Sequence, residues 1–193
     1  MTNESHEKKR STGSIARDWW GWWKGLQSEP RADGRRGGDP GALARLRRGD
    51  LLDAAMEEAT VDLFHRLQSH PHGAILGVGL VERAALIAAV LAHVREDDRR
   101  KKVAAAAGEK SGDHPLLHPL RLRRLFAARI APECLIAFRR LVALLGKEAN
   151  VADLAEGLFD WPDEIRGDKR RTRWAFDYAG RRRSGRRLKT HME

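Results

Sequence analysis

Along most of this chain apolar residues recur at three- and four-residue spacing, and no stretch alternates apolar with polar at period two. That pattern predicts amphipathic helices, because only a 3.6-residue period gathers such positions on one face. Ile15, Trp19, Trp22, Trp23 and Leu26 share a face over 15–27. Asp39 and Pro40 supply an N-cap and a first-turn proline for a short helix over 40–48, with Leu43 and Leu46 on one side and Arg45 and Arg48 together on another. Asp50 caps a long helix over 51–68, whose stripe reads Leu52, Ala55, Met56, Ala59, Leu63 and Leu67. Leu80, Ala84, Ile87, Leu91 and Val94 form the next stripe. Leu122, Leu125 and Phe126 mark a helix within 118–129. Pro132 opens and Gly146 stops a helix that turns Leu135, Phe138, Val142 and Leu145 inward. Asn150 caps 151–159, and a last helix runs from Pro162 to Gly180.

These elements predict an all-α protein built as two small helical bundles joined by a linker. The expected divisions are a disordered N-terminus over 1–13, an N-terminal bundle over 14–104, a linker over 105–114, a basic C-terminal bundle over 115–180 and a basic tail over 181–193. The segment 28–39, rich in glycine and charge, reads as a loop, as does 69–79.

Charge adds a second level. Residues 1–100 carry 16 Lys+Arg against 15 Asp+Glu, whereas residues 101–193 carry 21 against 12, so nearly the whole net charge of +10 lies in the second half. A half-chain so basic implies a polyanionic partner. The single cysteine, Cys134, excludes an internal disulfide, and the polar start and the lack of a long uninterrupted apolar run point to a cytoplasmic protein with no membrane or small-molecule partner.

Candidate chemistry narrows the choice further. His114 and His118 are four apart, but each precedes a proline, which pushes it out of helical conformation, so no metal site is expected there; His70 and His72 flank Pro71. Glu57 with Glu58, and Glu96 with Asp97 and Asp98, are adjacent runs, and neighbours on a helix diverge by about 100°. They make poor convergent ligands for a nuclease metal. Phosphate-loop and nucleophile-elbow motifs are absent from the sequence. No catalysis and no cofactor are expected. A base-reading regulator, the alternative, would need Asn and Gln on a recognition helix, and the chain has only Asn3, Gln27, Gln68 and Asn150. Trp19, Trp22, Trp23, Trp161 and Trp174 are expected in the core, and Trp20, off the stripe, at a subunit contact.

What remains is a set of arginine doublets inside apolar helical patterns: Arg47-Arg48, Arg123-Arg124, Arg139-Arg140 and Arg170-Arg171. Arg45, Arg121, Arg129, Arg166, Lys169 and Arg173 accompany them. Guanidinium forks held on a fixed outer helix face match phosphate oxygens. Charge reversal at Arg139 and Arg140 together is therefore expected to weaken binding and spare the fold.

The order DWWGWWKGLQ, GALARLRRGD, LRLRRLFAAR, AFRRLVALL and NVADLAEGLFDWPDEIRGDKRRTRWAFDYAG resembles the CasB family, the small subunit of the type I-E CRISPR surveillance complex Cascade, over most of residues 15–180. The resemblance implies a non-catalytic helical subunit, two copies packed head to tail, in contact with other Cascade subunits. It implies support of guide RNA and target DNA and a hold on the displaced single strand of the R-loop in antiviral defence. By matching, it places nucleic-acid contacts at Arg48, Arg124, Arg129, Arg139, Arg140, Lys169, Arg170 and Arg171, to which the basic helix faces add Arg45 and Arg123. The loop at 28–39 and the tail after Gly180 depart from the family pattern.

Overall fold

The protein is described here from a computed structural model, which covers residues 18–27, 38–69 and 79–184, without side chains for 181–184. Expectations for residues 1–13, for 28–37, for His70 and His72 and for the tail beyond 184 lie outside the described residues. Those residues form ten helices: α1 (18–27), α2 (Pro40–Arg48), α3 (Leu51–Met56), α4 (Glu58–Gln68), α5 (Gly79–Leu91), α6 (Val103–Ala107), α7 (Pro119–Ala127), α8 (Ala131–Leu144), α9 (Val151–Asp160) and α10 (Glu164–Ser184). The fold class is all-α. Four two-residue strands complete it: β1 (Glu96–Asp97) pairs in parallel with β4 (Glu148–Ala149), and β2 (Lys110–Ser111) pairs antiparallel with β3 (His114–Pro115).

Helix α5 organises the molecule. Its sequence, GLVERAALIAAVL, is apolar on almost every side, so the helix is buried on almost every side. It packs against α2, α3 and α4 and also against α8 and α9, and its alanines 84, 85, 88 and 89 let those neighbours approach closely. One apolar core consequently runs through both halves of the chain. The segment 105–114 is structured: α6 lies against α10, and Gly108 meets it so closely that an added Cβ would stand 2.3 Å from the Tyr178 carbonyl oxygen.

Local signals acted as the sequence predicts. The Asp39 side chain accepts from Ala42 N–H, Asp50 forms a capping box with Asp53, and Asn150 accepts from Asp153 N–H. At the end of α8, Gly146 N–H donates to Ala143 and Lys147 N–H to Val142, respectively the five-to-two and six-to-one bonds of a Schellman motif, with Gly146 at φ 71°. Trp19, Trp22 and Trp23 are buried; the Trp22 indole donates to Ala59 O (2.7 Å) and that of Trp23 to Val94 O (3.2 Å). In the second half Phe138, Trp161 and Trp174 meet edge to face with centroids 4.9–5.7 Å apart.

One predicted helix is divided in two. The helix over 51–68 breaks at Glu57, whose extended backbone (φ −72°, ψ 133°) separates α3 from α4. Both Glu57 carboxylate oxygens accept from Arg45 Nε, at 2.8 and 2.9 Å, which ties the break to α2. The break rotates α3, so Ala54 enters the core while Leu52 and Met56 face solvent.

Candidate nucleic-acid interface

The arginine doublets do not share one outer face. Neighbours on a helix point about 100° apart, so a doublet beside a buried stripe tends to send one member inward. In the first doublet Arg47 is half-buried and its Nε donates to Ala92 O (2.6 Å), while Arg48 is exposed. In the third, Arg139 Nη2 donates to Leu46 O (2.7 Å) and Gly49 O (2.8 Å), while Arg140 is exposed. Arg123 and Arg124 are both exposed. Arg170 and Arg171 are both buried, at 8% and 5% exposure, opposite to the expected outward display. They extend the inward stripe of Trp174 and Tyr178 back along α10, a periodicity already present in the sequence. Around Arg170 stand Asp160, whose Oδ2 is 2.6 Å from Nη2, and Glu156, whose Oε1 is 3.1 Å from the same nitrogen.

Apart from Arg170, which meets carboxylates, the inward arginines have a common task. The last carbonyls of a helix lack intrahelical donors and carry partial negative charge. Arg139 serves the end of α2, Arg47 the residue after α5, Arg83 the Phe159 carbonyl at the end of α9, and Arg171 Nη1 the Trp161 carbonyl just beyond it (2.9 Å). Carboxylates do the converse at helix starts. Asp97 Oδ1 accepts from Val151 N–H, the first residue of α9 (3.0 Å), and Asp153 Oδ2 accepts from Val103 N–H, the first of α6 (2.8 Å). Asp97 and Asp98 of the second acidic run also pair with Arg99 and Arg100, each at 2.7 Å. Cys134 is equally inert, its thiol pushed up to about 12 by burial.

Two further candidates are exposed yet neutralised. Arg45 is held by Glu57, and Arg129 by Asp168 at 2.6 Å. Arg48, Arg123, Arg124, Arg140 and Lys169, joined by Arg121 and Arg173, are exposed and have no ion pair among the described residues. Arg121 and Arg124 on α7 face Arg140 on α8 across a groove of about 730 Å³, floored by Leu117, Leu125, Ile136 and Leu141. Among the described residues one carboxylate, Glu133, lies on that groove, against the three guanidinium groups. Trp20, assigned by the sequence to a subunit contact, is half-buried beneath the Arg99 guanidinium, 4.3 Å from the ring centroid.

The stretch of chain that carries these helices matches a known family. The family model for CRISPR-associated protein Cse2 matches residues 42–178. The chain belongs to the Cse2 family. Cse2 is the CasB small subunit of type I-E Cascade, so this is a subunit of a CRISPR Cascade complex, of a family with a structural and no known catalytic role. No curated protein and no solved structure matches the chain. The Cse2 match begins inside α2 and ends at Tyr178 in α10, and so takes in nearly every basic residue described above. Among the described residues no helix is long and apolar enough to cross a membrane.

The inward network has a pH signature. Burial, and then the neighbouring Arg139 and Arg47, hold His93 down to about 4 from an ordinary 6.5. Between those values the unfolded chain binds a proton that the folded chain refuses, so stability is full above about pH 6.5 and falls towards pH 4. The expected loss from this group is about 2 kcal/mol once its partial exposure is discounted. Melting curves of the parent and of His93→Gln across that window check it: the parent should lose more stability than the variant, and parallel curves would refute the assignment.

Proposed function

We propose that this Cse2-family subunit clamps nucleic-acid backbone within Cascade, supporting guide RNA and target DNA and holding the displaced strand of the R-loop, alongside a second copy of itself. The contacts are made by Arg48, Arg121, Arg123, Arg124, Arg140, Lys169 and Arg173 and are independent of sequence. Arg45 and Arg129 stand beside this set with their charge already engaged, and Arg139, Arg170 and Arg171 act behind it as supports of the fold. The observation that carries the reading is the division among the cations: those in ion pairs or turned inward are engaged within the fold, and the second half retains a set of exposed cations without ion pairs among the described residues. Such a set of like charges repels itself and attracts a counter-charged partner.

R-loop formation exchanges one duplex for another of similar stability, so a few kcal/mol of phosphate contact on the displaced strand decides whether the loop persists. Each arginine that neutralises a single-strand phosphate releases counterion, at about −0.7 in the slope of log affinity against log salt. Seven such contacts give a slope of roughly −5. Titrating single-stranded DNA into the subunit or its assembled complex at several salt concentrations tests this. A slope shallower than about −2, or a footprint with a sequence preference, would overturn the reading; the latter outcome would favour a free-standing DNA-binding regulator.

A further inference from the structure

One outward stripe of α10 is unlike the rest of the surface. Ile165, Lys169, Thr172, Arg173 and Phe176 follow one another at four-, three-, one- and three-residue steps and are all exposed, on the side opposite Gly167, Arg171, Trp174 and Tyr178. Phe176 is 75% exposed, extreme for a phenylalanine in a helix whose other aromatic residues are buried. Side chains on a helix lean towards its N-terminus, so the residue four positions on would normally cover the ring. Here that residue is Gly180, and a Cβ built on it meets nothing within 4 Å. Glycine in a helix costs stability relative to alanine, and at this position its effect is to leave one side of an aromatic ring open.

The charges around the ring have one sign. Arg173 lies one turn before Phe176 and Lys169 one turn before that, both without an ion pair among the described residues. Of the three carboxylates on α10, the two nearer the ring are engaged elsewhere, Asp168 with Arg129 and Arg171 and Asp177 with Lys102 at 2.9 Å, and the third, Glu164, lies about three turns before Phe176. The Thr172 hydroxyl donates to the Asp168 carbonyl (2.9 Å). An open aromatic face next to unneutralised cations is the arrangement by which proteins hold single strands: the bases stack and the phosphates pair, with little regard to sequence. A wholly apolar partner would strand the two cations, whereas a polynucleotide satisfies ring and charges together.

We propose that Phe176 is a stacking platform for one unpaired base of a strand whose phosphates lie on Lys169 and Arg173. This rests on the backbone-clamping function above and adds to it that α10 takes single strand rather than duplex, because a base inside a duplex is already stacked on both faces. The test compares a labelled oligothymidylate with an abasic strand of the same length, each bound to the full-length chain at low salt. The parent should prefer the base-bearing strand roughly tenfold. Phe176→Ala should lose that preference, leaving abasic binding and the salt slope unchanged. Gly180→Leu, which covers the ring, should lose it too while raising the melting temperature, an outcome that simple damage to the helix does not produce. Equal binding of both strands by the parent overturns the stacking site and leaves the clamp standing. If Phe176→Ala leaves the base preference intact but prevents assembly with other Cascade subunits, the face docks protein and the proposal fails. If the parent binds neither strand, the clamp itself fails and the platform with it.

Discussion

Replacing Arg170 by alanine should cost about 3 kcal/mol of stability, a loss that would mimic a binding defect in any assay that did not measure folding. The guanidinium is 8% exposed and makes 2.6–3.2 Å contacts with Asp160 and Glu156 through all three of its nitrogens. Its removal leaves two carboxylates on α9 facing each other and the core without a counter-charge. Like charges without a bridge repel, and their partial burial denies them full hydration. For a chain of this size the loss corresponds to a fall in melting temperature of roughly 6–12 °C. The triple variant Arg170→Met, Glu156→Gln, Asp160→Asn should recover most of it, because the penalty belongs to the uncompensated charges rather than to the absent bridge. Thermal melts of the single and triple variants decide the matter: an unchanged melting temperature for Arg170→Ala would return this residue to the surface.

The same residue marks where sequence reading reaches its limit. Caps, stops and helix faces were legible because they are local: Asp39, Asp50, Asn150 and Gly146 act within four residues of themselves. The buried tryptophans were legible because their spacing is helical. The orientation of an arginine doublet was half legible. In α10 the stripe through Trp174 and Tyr178, followed backwards, passes through Arg171 and Gly167, so the inward turn of Arg171 lay in the periodicity and was outweighed by the expectation that charge faces water. What no local pattern carries is the partner. Arg139 finds carbonyls ninety and ninety-three positions away in sequence, Arg129 finds Asp168 thirty-nine positions away, and Asp97 caps a helix that begins fifty-four positions later. Such pairings depend on tertiary packing, and they settle which cations are left for a ligand. Phe176 was passed over for a related reason: an aromatic residue in an amphipathic helix is assigned inward by default, and only the opposed face of Trp174 and Tyr178 shows that it points out.

The sorting of arginines changes how the interface is to be probed. Reversing Arg139 together with Arg140, which the sequence suggests as a binding test that spares the fold, would place a carboxylate against the Leu46 and Gly49 carbonyls and disturb the contact of α8 with α2. The clean variant is Arg121→Glu, Arg124→Glu and Arg140→Glu together. These residues line one groove, are exposed and make no ion pair among the described residues, so no internal contact is lost. Stability should stay within about 0.5 kcal/mol per site, because the three side chains are exposed and the new carboxylates repel one another and Glu133 only through solvent. Binding should respond steeply. Each reversal removes an attraction and adds a repulsion of about 1 kcal/mol at water-like screening, and salt roughly halves the sum over three sites. The expected result is a loss of about 3 kcal/mol, or roughly a hundredfold in affinity for single-stranded DNA. In assembled Cascade the lifetime of the R-loop should shorten correspondingly, while recognition of the matched target sequence is retained, since base pairing and not this subunit reads it. Full affinity and an unaltered R-loop lifetime in the triple variant, with an unchanged melting temperature, would show that this groove does not face the nucleic acid.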